Sequence, residues 1–121
     1  MQYLLLIYGQ ESDWWNIPPA QSGALMEEFG KFTQELTASG KNLGSNRLKD
    51  VASATTVRVR DGKRVVTDGP FAETKEQLGG YYLIEAKDLD EAIAIAAKIP
   101  SARFGSVEVR PVFMMEQAAG R

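Results

Sequence analysis

Residues 67–85 read TDGPFAETKEQLGGYYLIE. A polar, charged, glycine-punctuated segment, Thr67 to Gly80, leads into an apolar one, Tyr81 to Ala86, with apolar residues on both alternating faces. Such a strand must be covered on both sides. Tyr81 and Tyr82 then point to opposite faces. Glu73 to Leu78 is expected as a single helical turn ahead of Gly79-Gly80. At the front of the segment, Gly69 can take a positive φ and Pro70 restricts the residue before it, so Asp68-Gly69-Pro70 holds its carboxylate at a set angle.

Upstream, Thr55 to Arg60 alternates, with Thr55, Val57 and Val59 on one face and Thr56, Arg58 and Arg60 on the other, outward one. Asp61-Gly62 is a two-residue hairpin turn that returns the chain through Lys63 to Thr67. Further back, Leu43 to Val51 is weakly patterned, with a short strand expected around Ser45 to Leu48. Tyr3 to Tyr8 is another strand apolar at successive positions. Pro18-Pro19 suits a helix entry. Leu25, Phe29, Phe32 and Leu36 form the apolar stripe of that helix, and Gly40 is placed to end it. Gly30 inside it costs about 1 kcal/mol relative to Ala. Trp14-Trp15 precede the helix in a loop, either as a lid or as packing.

Downstream, Asp88 is an N-cap with Glu91 three residues on, opening a helix whose buried side is Ala92, Ile93, Ala96 and Ile99. Pro100 stops it, and a last strand runs from Ser106 to Val112. The order strand, helix, strand or strands, strand, helix, strand predicts an α+β fold of the split βαβ kind: an antiparallel sheet with two helices on one face. The second face of that sheet also needs cover, because apolar areas of this size are rare on a monomer. A second copy packed sheet against sheet is the expected cover, and the Gly40 to Ser53 segment is the rival.

Composition narrows the chemistry. The chain has 121 residues, 44% of them hydrophobic, which suffices for one domain, expected over residues 1–115 with 116–121 as a frayed tail. It contains no cysteine and no histidine, which removes thiolate chemistry, imidazole bases and the usual zinc ligand sets. Neither a metal nor any other cofactor is expected. A net charge of −2 argues against nucleic acid as a partner. The first apolar run is too short to span a membrane, and a cytoplasmic, bacterial-type protein is expected.

The remaining candidates are side chains of the polar segment and its neighbours. Asp68 is a carboxylate for acid–base work if it lies in an apolar cleft, or a turn-setting group bonded to backbone. Phe71 is a plug that anchors the loop to the core, or a ring that stacks on a ligand. Lys75 and Glu76 can bind an anion and position a proton, or stand solvated. Tyr81 lines an inter-subunit cleft or packs inside. Arg58, with Arg60, can receive a carboxylate or phosphate, or serve solubility.

Ala54-Thr55-Thr56-Val57-Arg58 and the run from Thr67 through Asp68-Gly69-Pro70-Phe71 to Glu85 resemble the DGPF branch of the YciI-like, or YCII-related, family. The ends, Tyr3 to Tyr8 and Val107 to Val112, match it too. The resemblance implies a ferredoxin-like subunit assembled as a dimeric α+β barrel. It also implies a cleft in which a histidine and an aspartate act together, and one relative is a dehydrochlorinase acting on a chlorinated hydroxyquinol. Asp68 takes the aspartate's place, while the histidine has no counterpart in this chain. DGPF genes lie beside genes for extracytoplasmic-function sigma factors. Two functions are therefore expected in competition. One is a homodimeric small-molecule-binding protein or cryptic enzyme with a cleft near Asp68; the other is a non-catalytic regulatory module acting with a sigma factor.

Overall fold

A strand with leucines and isoleucine at consecutive positions has to bury both faces, and β1 (Gln2–Gly9) does so unequally. In the computed structural model, which describes residues 1–15 and 17–114, Tyr3, Leu5 and Ile7 are buried while Gln2, Leu4, Leu6 and Tyr8 are half-buried. After β1 come α1 (Glu11–Trp15), α2 (Pro19–Ala38), β2 (Asn42–Arg47), β3 (Thr55–Arg60), β4 (Lys63–Asp68), β5 (Gln77–Glu85), α3 (Leu89–Ala97) and β6 (Ser106–Pro111). One-turn 3-10 helices at Val51–Ser53 and Pro100–Arg103 complete the order. The fold is mixed α+β. Four strands form an antiparallel sheet in the order β2-β5-β1-β6, and β3 and β4 form a separate two-stranded sheet.

The core is one layer. Tyr3, Leu5 and Ile7 of β1, with Tyr82 and Ile84 of β5, meet Phe32 and Leu36 of α2 and Ala92, Ile95, Ala96 and Ile99 in and after α3. The expected stripe of α2 holds: Leu25, Phe32 and Leu36 are buried, and Phe29 packs against the cluster. Its end is a Schellman motif. Gly40 takes φ 76°, its N–H donates to Thr37 O at 3.0 Å, and the Lys41 N–H donates to Leu36 O at 3.2 Å. In α3, Asp88 caps as expected by accepting from the Glu91 N–H at 2.9 Å, and the Glu91 carboxylate accepts in turn from the Lys87 N–H. That backbone bond, helped by the Lys41 ammonium, holds the Glu91 carboxyl below its ordinary value.

Several expectations change. Ile95, not Ile93, supplies the buried face of α3, because 92, 95, 96 and 99 form one helical stripe and 93 lies off it. β2 begins earlier than expected, at Asn42. Trp14 and Trp15 belong to α1 rather than a loop, and their side chains lie outside the described residues, as does the tail 116–121. Residues 73–76 form no helical turn, and β5 starts at Gln77. Gly79-Gly80 does not punctuate a strand start; it lies inside β5. Gly79 is the unpaired residue of a bulge opposite Ile7 and Tyr8. A Cβ on Gly80 would press on Asn46 O at 3.0 Å, so glycine is there for the close approach of β2.

The hairpin departs furthest from expectation. Its turn is as predicted, with Asp61 and Gly62 both at positive φ, 53° and 73°. Yet Val57 and Val59, read as the inward face, are 58% and 64% exposed, while Thr56 and Arg58, read as outward, are half-buried. The sheet they were expected to join does not extend to them, so no core lies beneath the valines.

Candidate functional site

Met26, Phe29 and Thr33 follow one another at spacings of three and four on α2, a stripe beside the buried one. They face the β2–β5 pair across a cavity of about 250 Å³. Ser45, Asn46 and Arg47 of β2, Gln77 to Tyr82 of β5, and Ile7 and Gly9 of β1 form its other walls. Leu48, Lys49, Asp50 and Glu11 complete the lining. The lining is mostly apolar. Gly79 and Gly80 of β5 belong to it, and glycine at position 80 permits the close approach of the β2 backbone.

The polar atoms in this lining are placed by specific bonds. Thr33 Oγ1 and the Tyr82 hydroxyl lie 2.7 Å apart. Phe32 packs edge-on to the Tyr82 ring, with centroids 5.2 Å apart and planes at 84°. Burial raises the Tyr82 pKa, and the Thr33 bond opposes that shift only in part. Tyr82 therefore stays protonated near neutrality. One proton spans the pair, which leaves the second hydroxyl proton and spare lone pairs for a ligand. At the rim, Glu11 Oε1 accepts from the Val51 N–H at 2.7 Å, and Gln77 Oε1 accepts from the Glu11 N–H at 3.1 Å. Gln77 Nε2 donates to Thr74 O at 2.7 Å. One carboxylate and one amide thus join the start of β5, α1 and the turn that follows β2.

The residues singled out from the sequence fall in three places. Asp68 ends β4 and is exposed. Its neighbour Gly69, at φ 93°, donates its N–H to Ala54 O at 2.7 Å and accepts from Thr56 Oγ1 at 2.8 Å, so the turn is set largely by backbone and Thr56. Arg58 donates to Phe71 O at 3.4 Å. Phe71 is 78% exposed, which overturns its reading as a plug. Lys75 is exposed, and Glu76 accepts from Ser106 Oγ at 2.9 Å, on β6. Tyr81 alone of the six is among the residues that border the cavity, but its side chain lies on the sheet face away from the helices, where its hydroxyl accepts from Asn46 Nδ2 at 2.8 Å. The cavity and Asp68 are separate places.

Sequence reading passed over Thr33, Met26, Glu11 and Gln77. The spacing of Met26, Phe29 and Thr33 was visible, but a stripe does not reveal whether it meets a wall or a void. Among the described residues no helix is long and apolar enough to cross a membrane, and no group of three or more acidic side chains is arranged to hold a metal ion.

The model of the YCII-related domain matches residues 1–116. An uncharacterised protein of Rhizobium meliloti (strain 1021) is 38% identical over 114 residues, which cover 93% of this chain and 92% of the relative. The long central motif and both terminal strands lie inside the family match. The chain belongs to the YCII-related domain family.

Proposed function

We propose that this protein binds a small, largely apolar molecule carrying one hydroxyl or carbonyl group, in the cavity between α2 and the β2–β5 pair. The observation that carries this reading is the Thr33–Tyr82 hydroxyl pair, set in the mostly apolar wall of a 250 Å³ space. Apolar walls with a few convergent polar groups are the usual make-up of a ligand site. The charged rim, Glu11, Arg47, Lys49 and Asp50, carries both signs, which suits a ligand without large net charge.

The subunit is ferredoxin-like in this reading, and two copies pack open sheet face to open sheet face as a dimeric α+β barrel. Leu4 of β1 pairs with Leu83, and Leu6 with Tyr81, on the face away from the helices. That half-buried apolar face supports a covering copy.

A fragment screen by protein-observed NMR tests the binding. Small phenols and cyclic ketones are expected to shift resonances of Phe29, Thr33 and Tyr82. Ser45→Phe, which projects from β2 on the face shared with Tyr82, is expected to abolish those shifts while the remaining spectrum stays folded. Shifts centred on residues 67–76, or none at all, would overturn the assignment.

A further inference from the structure

The β3–β4 hairpin is the part of the molecule least explained by its own chain. An isolated two-stranded ribbon is marginally stable in water; it needs a third strand or a packed face. Here every residue of β4 from Lys63 to Asp68 is exposed. Val57 pairs with Val66, and Val59 lies on the same face two residues from Val57; they are 58%, 55% and 64% exposed. Uncovered valines on a ribbon with two free edges invite unspecific pairing.

We propose that the hairpin is a clasp laid on a second copy of this chain, with the Val57, Val59 and Val66 face against the partner's body and the arrangement repeated by two-fold symmetry. Charge argues for that occupant. Residues 55–68 hold Arg58, Arg60, Lys63 and Arg64 against Asp61 and Asp68, a net of +2 in a chain of net −2. The remainder of the chain therefore carries −4. A basic arm and an acidic body on one chain are complementary between copies. The same cations keep the free edges from pairing with each other. The clasp rests on the two-copy assembly proposed above and adds the arm as a second contact.

The experiment is sedimentation velocity over a concentration series on the full chain and two variants, with maleimide labelling of a third. Val57→Thr/Val59→Thr/Val66→Thr keeps strand-forming residues and removes the apolar face, and it is expected to weaken the dimer at least tenfold. Raising NaCl from 50 to 500 mM is expected to weaken the wild type in the same direction. Leu83→Arg, on the open sheet face, is expected to dissociate it. Because the chain has no cysteine, Val66→Cys gives a single thiol whose maleimide labelling should slow at least tenfold in the dimer. A dimer that Leu83→Arg dissociates, but whose affinity the triple variant leaves unchanged while Val66→Cys labels at full speed, would overturn the clasp and leave the sheet-to-sheet assembly standing. A wild type that stays monomeric throughout would overturn both.

Discussion

The Tyr82 hydroxyl lies 2.7 Å from Thr33 Oγ1, so an inner strand of the sheet and the long helix are joined by one polar contact within an apolar layer. Helix and strand could have met through hydrocarbon alone. The pair instead places exchangeable protons on the wall of the cavity.

Tyr82→Phe is expected to cost about 1 kcal/mol at neutral pH, because Thr33 loses its buried partner. The pH dependence has a definite sign. Folding raises the Tyr82 pKa above its ordinary value of 10.0, so the folded state keeps its proton longer. That contribution is complete below pH 10.0 and declines as pH rises through the folded pKa. Urea titrations between pH 8 and 12 should show a shallower alkaline loss in Tyr82→Phe than in wild type.

Two glycines test close approach against free space. A Cβ on Gly105 would collide with the Tyr8 carbonyl oxygen, so Gly105→Ala is expected to destabilise by roughly 2–4 kcal/mol. Gly30 lies in α2 with nothing within 4 Å of its Cβ position, and Gly30→Ala is expected to stabilise by about 0.5–1 kcal/mol. Thermal unfolding of the two variants should move in opposite directions.

Glu11→Ala removes the acceptor for the Val51 N–H at the cavity rim. Amide hydrogen exchange at Val51 should accelerate, while core amides such as those of Leu5 and Ile84 keep their protection. Equal acceleration throughout would mean that Glu11 supports the whole fold rather than the rim.

Asp68→Asn separates the two places a site has been sought. Asp68 is exposed at the end of β4, so the change is expected to stay within about 0.5 kcal/mol of wild-type stability. Fragment binding in the cavity should persist unaltered. Loss of binding in Asp68→Asn with an unchanged melting temperature would move the site to the root of the hairpin.

Ser101 is 1% exposed, and its hydroxyl has no hydrogen-bond partner among the described residues. Removing an unsatisfied buried hydroxyl, so that the side chain ends in a methyl group, removes a desolvation cost. Ser101→Ala is expected to raise stability by about 1 kcal/mol in denaturant titration.

Local rules settled much of the fold before any tertiary contact was considered. The α2 stripe, the Gly40 stop, the Asp88 cap and the Asp61-Gly62 turn each depend on neighbours within a few residues. A sequence displays those directly. The two-faced character of Tyr3 to Tyr8 and Tyr81 to Ala86 was equally plain, and with it the need for cover on a second side. The family followed from the length of its motif.

Tertiary structure decided where elements end up relative to each other. Alternation marks Thr55 to Arg60 as a strand, but it cannot say that no core lies under Val57 and Val59. Gly79-Gly80 signals a missing side chain, and only the neighbouring Asn46 carbonyl explains why it is missing. The cavity depends on Thr33 of α2 and Ser45 of β2 meeting Gln77 and Tyr82 of β5, which lies some way along the chain. The conspicuous DGPF residues instead set a loop at the base of an exposed arm. Local propensity acts through covalent neighbours and survives in the sequence; a void is defined by what several distant segments leave unfilled.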